Sequence, residues 1–146
     1  MTEKEYLENR VLPQKNYFSK KAASNKKRYY VFSIAKLVIS LLVTVLSSAY
    51  ASGGCSPISI VIAILSALMT LVEGITLLCK YNENWIIYRM TSESIKKEEY
   101  LFRTRTGIYY GEDGQQAFNA FVQNFEALIQ SSNNQWENIY KKKEER

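Results

Sequence analysis

Two apolar runs, 31–51 and 58–79, constrain this chain more than any other feature, because each carries a single charged residue in a full membrane length. They hold 21 and 22 residues, and a helix rising 1.5 Å per residue covers the roughly 30 Å hydrocarbon core with about 20. Only Ser52-Gly53-Gly54-Cys55-Ser56-Pro57 joins them, so two spans must return antiparallel as a hairpin. Ser56 is placed as an N-cap and Pro57 as the first helical residue of the second span. Tyr29, Tyr30 and Tyr50 suit the aromatic belts at the two interfaces. Ala49-Tyr50-Ala51 also has the form of a signal cleavage site. Some 30 residues precede the run, however, and a second run follows at once, which favours a span.

Charge supplies the orientation. The chain has 19 lysines and arginines against 14 aspartates and glutamates, yet between 31 and 81 only Lys36, Glu73 and Lys80 are charged. The mean hydropathy of -0.23 therefore averages two unlike populations. Lys15, Lys20, Lys21, Lys26, Lys27 and Arg28 precede the first run, and Lys80, Arg89, Lys96 and Lys97 follow the second, while the joining turn has no charge. The positive-inside rule then puts both termini in the cytoplasm. A net charge of +5 is explained by anionic lipid without invoking nucleic acid. Lys26, Lys27 and Arg28 in particular are expected to meet lipid headgroups rather than a nucleotide.

The remainder predicts cytosolic helix. Residues 1–30 form an N-terminal segment in which Pro13 ends or restarts a first short helix; beyond it Tyr17, Phe18, Ala22, Tyr29 and Phe32 recur at helical spacing. The first span is 31–51, the external turn 52–57 and the second span 58–81. No proline interrupts 58–105, so the second helix is expected to run on through a cytosolic stretch, 82–106. Its seam Leu78, Tyr81, Trp85, Tyr88, Ser92, Ile95, Glu99 and Phe102 keeps a seven-residue rhythm. Three glycines mark a loop at 107–114, with Asp113 and Gln116 at capping-box spacing. Then 115–142 reads as an amphipathic helix with the stripe Phe118, Phe121, Val122, Phe125, Leu128, Ile129 and later Trp136, Ile139 and Tyr140. Ser131 to Asn134 reads as a weak, frayed interruption of that stripe, and the charged tail after 140 as disordered. The fold class is thus an all-α membrane protein, a two-span transmembrane hairpin whose helices extend into a cytosolic helical bundle. Trp85, Tyr88, Ile95, Phe118, Phe125 and Trp136 are expected to pack that bundle or an oligomer, since aromatics on helical seams are usually packing.

Chemistry is thinly represented. There is no histidine, so the commonest general base, Ser-His and Cys-His nucleophile pairs and imidazole metal sites are excluded. Cys55 and Cys79 have no metal spacing, and the roughly 36 Å of helix between them prevents a bond within one chain. Ser94 and Lys97 have dyad-like spacing without an oxyanion hole to serve. No enzyme activity, cofactor or metal is expected. What stands out is Lys36 and Glu73, because ionisable residues within a span are functional candidates. Their midpoint falls in the turn, so an antiparallel hairpin puts them at one depth. Each lies on a polar stripe, Ser33, Lys36, Ser40, Thr44, Ser47 and Ala51 on one helix and Ser59, Ala63, Ser66, Thr70 and Glu73 on the other. Either the two faces pack together and the charges pair, or several hairpins assemble so that a stripe lines a water-filled path with Glu73 favouring cations.

The opening Tyr6-Leu7-Glu8-Asn9-Arg10-Val11, the stretch Tyr81-Asn82-Glu83-Asn84-Trp85-Ile86-Ile87-Tyr88-Arg89, the following Lys96-Lys97-Glu98-Glu99-Tyr100-Leu101 and a closing Phe118 helix ending in Trp136 together resemble the SLATT family of bacterial two-transmembrane effector domains. The resemblance covers nearly the whole chain. It implies a pore-forming effector of bacterial defence in the inner (plasma) membrane, with a sensor or nucleotide-signalling partner acting in trans. A single hairpin encloses no lumen, so the expected pore is a homo-oligomer. The expectation from a different class is a non-conducting membrane scaffold whose cytosolic bundle recruits a partner.

Overall fold

The computed structural model describes residues 2–51, 53 and 56–141, with the side chains of Ser56, Ile139 and Tyr140 outside the description. The expected turn geometry at Cys55 and the expected disorder of the last five residues therefore lie outside the described residues. Helix accounts for 93% of the structure, and no strand occurs among the described residues. The order is α1 (Glu3–Tyr6), a π turn (Leu7–Val11), α2 (Leu12–Ala51), α3 (Ser56–Cys79), α4 (Tyr81–Thr104), a 3-10 turn (Gly107–Tyr109) and α5 (Gly114–Lys141).

The first helix starts on a capping box, the Thr2 hydroxyl accepting from the Glu5 N–H at 3.3 Å and the Glu5 carboxylate from the Thr2 N–H at 3.2 Å. Pro13 falls in the first turn of α2, where a missing N–H leaves no α-helical bond unmade. It does not break the path as expected, because the wider π turn just before it carries α1 into α2 and gives the proline ring room. A second difference lies at Lys80. The expected continuous helix through 58–105 is interrupted there by a left-handed residue, φ +45°, although its N–H still reaches the Thr76 carbonyl at 3.2 Å. The Thr76 hydroxyl bonds back to the Val72 carbonyl at 2.6 Å, a contact that bends helices.

The chain divides into two compact units. One combines Met1–Ser24 with Glu83–Arg146 and has a conventional core. Tyr6, Val11, Phe18 and Ala22 come from the N-terminal helices, Tyr88, Ile95 and Phe102 from α4, Tyr109 from the 3-10 turn, and Ala117, Phe121 and Phe125 from α5. The seven-residue step of Tyr88, Ile95 and Phe102 and the four-residue step of Ala117, Phe121 and Phe125 keep one face of each helix inward. Each large side chain so buried contributes about 1.5–3 kcal/mol. Phe102 and Phe121 stack at 4.5 Å, and Tyr6 meets Phe118, Phe121 and Phe125 edge-on.

A Schellman motif ends α4: the Thr106 N–H reaches the Leu101 carbonyl at 3.1 Å and the Arg105 N–H that of Phe102 at 3.2 Å, with Arg105 at φ +52°. Gly107 and Gly111, at φ +64° and +77°, then turn the chain. The stretch Ser131 to Asn134 is not an interruption. It is regular α5, and Ser132 is buried 3.1 Å from the Thr91 hydroxyl.

The other unit, Asn25–Asn82, comprises the rest of α2 with α3, and no described residue in it is buried. Leu37, Leu41, Leu71 and Leu77 are 61–72% exposed. This pair of helices has no core of its own in water. Its apolar windows belong to stretches Glu3–Ala51 and Pro57–Tyr109, both long and apolar enough to cross a membrane.

Candidate functional site: a charge pair and a polar groove

Within the second unit α2 and α3 bring Lys36 and Glu73 together, Nζ donating to Oε2 at 2.8 Å. In water such a pair contributes about 0–1 kcal/mol, but among apolar side chains each charge needs its partner, since an isolated one is far more expensive. The Lys36 side chain is 25% exposed and that of Glu73 60%, so the pair is open on the glutamate side.

Glu73 also lines an open groove of about 690 Å3. Its walls are Ser40, Val43 and Thr44 of α2 and Ser66, Met69, Thr70, Gly74 and Leu77 of α3. The two polar stripes therefore share one groove. Their hydroxyls do not all bridge the helices: Thr44 donates to the Ser40 carbonyl at 2.9 Å and Thr70 to that of Ser66 at 3.0 Å, each within its own helix. Such self-satisfied threonines leave an acceptor lone pair for water or a neighbour.

Lys26, Lys27 and Arg28 are exposed on consecutive helical positions about 100° apart, so they point three ways rather than forming one patch. Lys26 lies 5.9 Å from the Tyr30 ring and Arg28 5.9 Å from that of Tyr81, which also stacks on Phe32 at 5.5 Å. Trp85, Tyr88, Ile95, Phe118, Phe125 and Trp136 all lie in the other unit, where Tyr88, Ile95 and Phe125 are core and the rest pack against it.

Three polar clusters in that unit escaped sequence reasoning. Glu126 accepts from Arg10 through two parallel bonds, Nε to Oε1 at 3.0 Å and Nη2 to Oε2 at 2.9 Å, and from the Tyr6 hydroxyl at 2.9 Å. Those bonds hold the Glu126 carboxyl below its usual range, with Arg10 the larger cause. Burial, then the bond to Glu126, pushes the Tyr6 phenol up. Tyr109, fully buried, donates to Glu98, which also accepts from Asn124 at 2.9 Å. Burial and that carboxylate push Tyr109 up to about 12. Lys15 and Arg103 both hold Glu99, at 2.7 and 2.8 Å. The only signals in the sequence were the helical positions of these residues, with no indication that Glu126 meets Tyr6 and Arg10, 120 and 116 residues away, or that Glu99 meets Lys15, 84 residues away. Among the described residues, no group of three acidic or cysteine side chains could hold a metal ion.

Fold and site define an all-helical protein with two helices long and apolar enough to cross a membrane, joined by a charge pair and a polar groove. The chain belongs to the DUF4231 family, described as proteins of unknown function, whose model matches residues 13–117. The match takes in most of α2, all of α3 and α4 and the start of α5. No curated protein and no solved structure is significantly similar to the chain.

Proposed function

We propose that this chain is a homo-oligomeric pore of the bacterial inner membrane, with α2 and α3 as its spans and both termini cytoplasmic, which permeabilises or depolarises that membrane. The observation that carries the reading is a unit of two apolar helices in which no described side chain is buried, with a groove of small and hydroxyl residues around Glu73. The large aliphatic side chains suit acyl chains, whereas a groove holding a carboxylate suits water or a second copy. Several copies with grooves turned to a common axis would make a hydrated path with a ring of Glu73 carboxylates, which favours cations. The bundle of the other unit is then the element whose rearrangement opens the path, biased by a sensor or nucleotide-signalling partner in trans. The resemblance to the SLATT effectors supports the same assignment.

One observation favours the runner-up, a non-conducting scaffold that recruits a partner. Lys36 already neutralises Glu73, and the Thr44 and Thr70 hydroxyls are turned to their own helices. Liposome flux separates the two. Purified protein should release an entrapped dye and pass cations in a reversal-potential measurement, and Glu73→Gln should reduce the cation preference. A membrane that stays sealed under every condition, including with genomic neighbours present, selects the scaffold.

A further inference from the structure

We infer that the unit combining Met1–Ser24 with Glu83–Arg146 binds a small planar aromatic anion, in a pocket of about 330 Å3 between the N-terminal helical segment, α4 and α5. The inference concerns this unit alone and stands apart from the pore reading. Its floor and walls are aromatic: Phe18 and Tyr88 are almost fully buried, with Tyr17 and Trp136 beside them. These rings cross instead of stacking, Tyr88 against Trp136 at 4.8 Å and 63°, Tyr17 against Tyr88 at 6.3 Å and 83°. Crossed rings form a box that a flat ring can enter with edge and face contacts.

Polar groups converge on the same space. Gln14 and Asn133 line it, each with an amide that both donates and accepts. Ser132 is buried at its base. The neighbouring Thr91 hydroxyl is placed to donate to the Ile87 carbonyl at 2.9 Å and to the Ser132 hydroxyl at 3.1 Å, so Ser132 accepts from Thr91 and keeps its own proton for an anionic ligand.

Charge selects the sign. Arg10 is the charged residue lining the pocket, and no carboxylate lines it. Its Nε and Nη2 are committed to Glu126, which leaves Nη1 for another acceptor. An aromatic box without a carboxylate and with a guanidinium at its wall disfavours a cation, the usual guest of such boxes. The volume lies at the lower end of small-molecule sites, enough for one or two fused rings with one acidic group. A carboxylate and a phosphate share the chemistry that Arg10 recognises.

Full-length protein in lipid nanodiscs is titrated with 1-naphthoate and with phenyl phosphate, followed by saturation-transfer NMR and calorimetry, with empty nanodiscs subtracted. At least one of the two should bind, and which one tells carboxylate from phosphate. Cyclohexanecarboxylate, an anion without a flat ring, and tetramethylammonium should bind at least about tenfold more weakly. Asn133→Asp, an exposed substitution, should weaken the aromatic anion about tenfold, the loss of one charge-assisted contact, and Asn133→Lys should not. Gln14→Glu repeats the test from the facing helix should Asn133→Asp perturb the helical spectrum. The inference is overturned if neither aromatic anion binds the folded wild type above empty nanodiscs, if the acidic variants bind equally well, or if tetramethylammonium binds best.

Discussion

Tyr6 separates packing from polar pinning as the force that holds the N-terminal segment in its bundle. Its ring is 8% exposed and lies edge-on to Phe118, Phe121 and Phe125 at 5.8, 6.4 and 6.0 Å. Its hydroxyl donates to Glu126 Oε1 at 2.9 Å, an oxygen that also accepts from Arg10 Nε at 3.0 Å. Tyr6→Phe removes one hydrogen bond without orphaning the carboxylate, and should cost about 1 kcal/mol. Tyr6→Ala also removes the ring, and a buried aromatic truncated to alanine costs about 3–5 kcal/mol, part of it from edge-to-face pairs of about 0.5–1.5 kcal/mol each. Packing should therefore exceed the bond by roughly 2–4 kcal/mol. Both tryptophans, Trp85 and Trp136, lie in this unit, so urea unfolding followed by their emission reads it selectively. The midpoint should fall slightly in Tyr6→Phe and steeply in Tyr6→Ala at unchanged slope. Equal losses in the two variants would refute the reasoning and make the Tyr6–Glu126–Arg10 network the dominant restraint.

The same network predicts an acid limb. Because Arg10 holds the folded carboxyl of Glu126 below its ordinary value of 4.5, the stability it contributes is present above that value and is lost as pH falls through the folded one. Glu126→Gln should flatten urea midpoints across that window, by a modest amount since the Arg10 and Glu126 side chains are 42% and 43% exposed. At the alkaline end the sign reverses. Tyr109 titrates near 10 when unfolded and near 12 in the fold, so its contribution is complete below pH 10 and disappears as pH rises through 12, and Tyr109→Phe should blunt that loss. In the other unit, Lys36→Met and Glu73→Met each strand one charge, so each should lower the carbonate-resistant membrane fraction more than the double variant does; additive losses would remove the pair from the account.

Much of this architecture is readable along the chain where one helix face repeats. The two apolar runs, the seam through Tyr88, Ile95 and Phe102 and the stripe through Phe121 and Phe125 are local periodicities, and each appears as a helix with that face turned to a neighbour or left apolar. The depth relation of Lys36 and Glu73 needed only the position of the turn, and the two lie 2.8 Å apart. Features set by partners distant in sequence were not readable. Ser132 looks like a solvent residue in a polar stretch until Thr91 is placed beside it, and Tyr109 looks like loop until it donates to Glu98 and accepts from Asn124. Backbone register was hidden for a different reason. Neither the π turn before Pro13, flanked by ordinary right-handed helical angles, nor the left-handed Lys80 has a glycine to signal it.

The claim on which the functional reading rests is that α2 and α3 cross a bilayer with both termini on one side. A Cys79→Ser variant keeps Cys55, in the joining turn, as its sole thiol, and Thr2→Cys in a background lacking Cys55 and Cys79 marks the other end. Membrane-impermeant maleimide applied to intact bacterial spheroplasts should label Cys55 at once and the residue-2 thiol only after lysis. Labelling of both before lysis, or of Cys55 only after it, would contradict the hairpin and with it the pore.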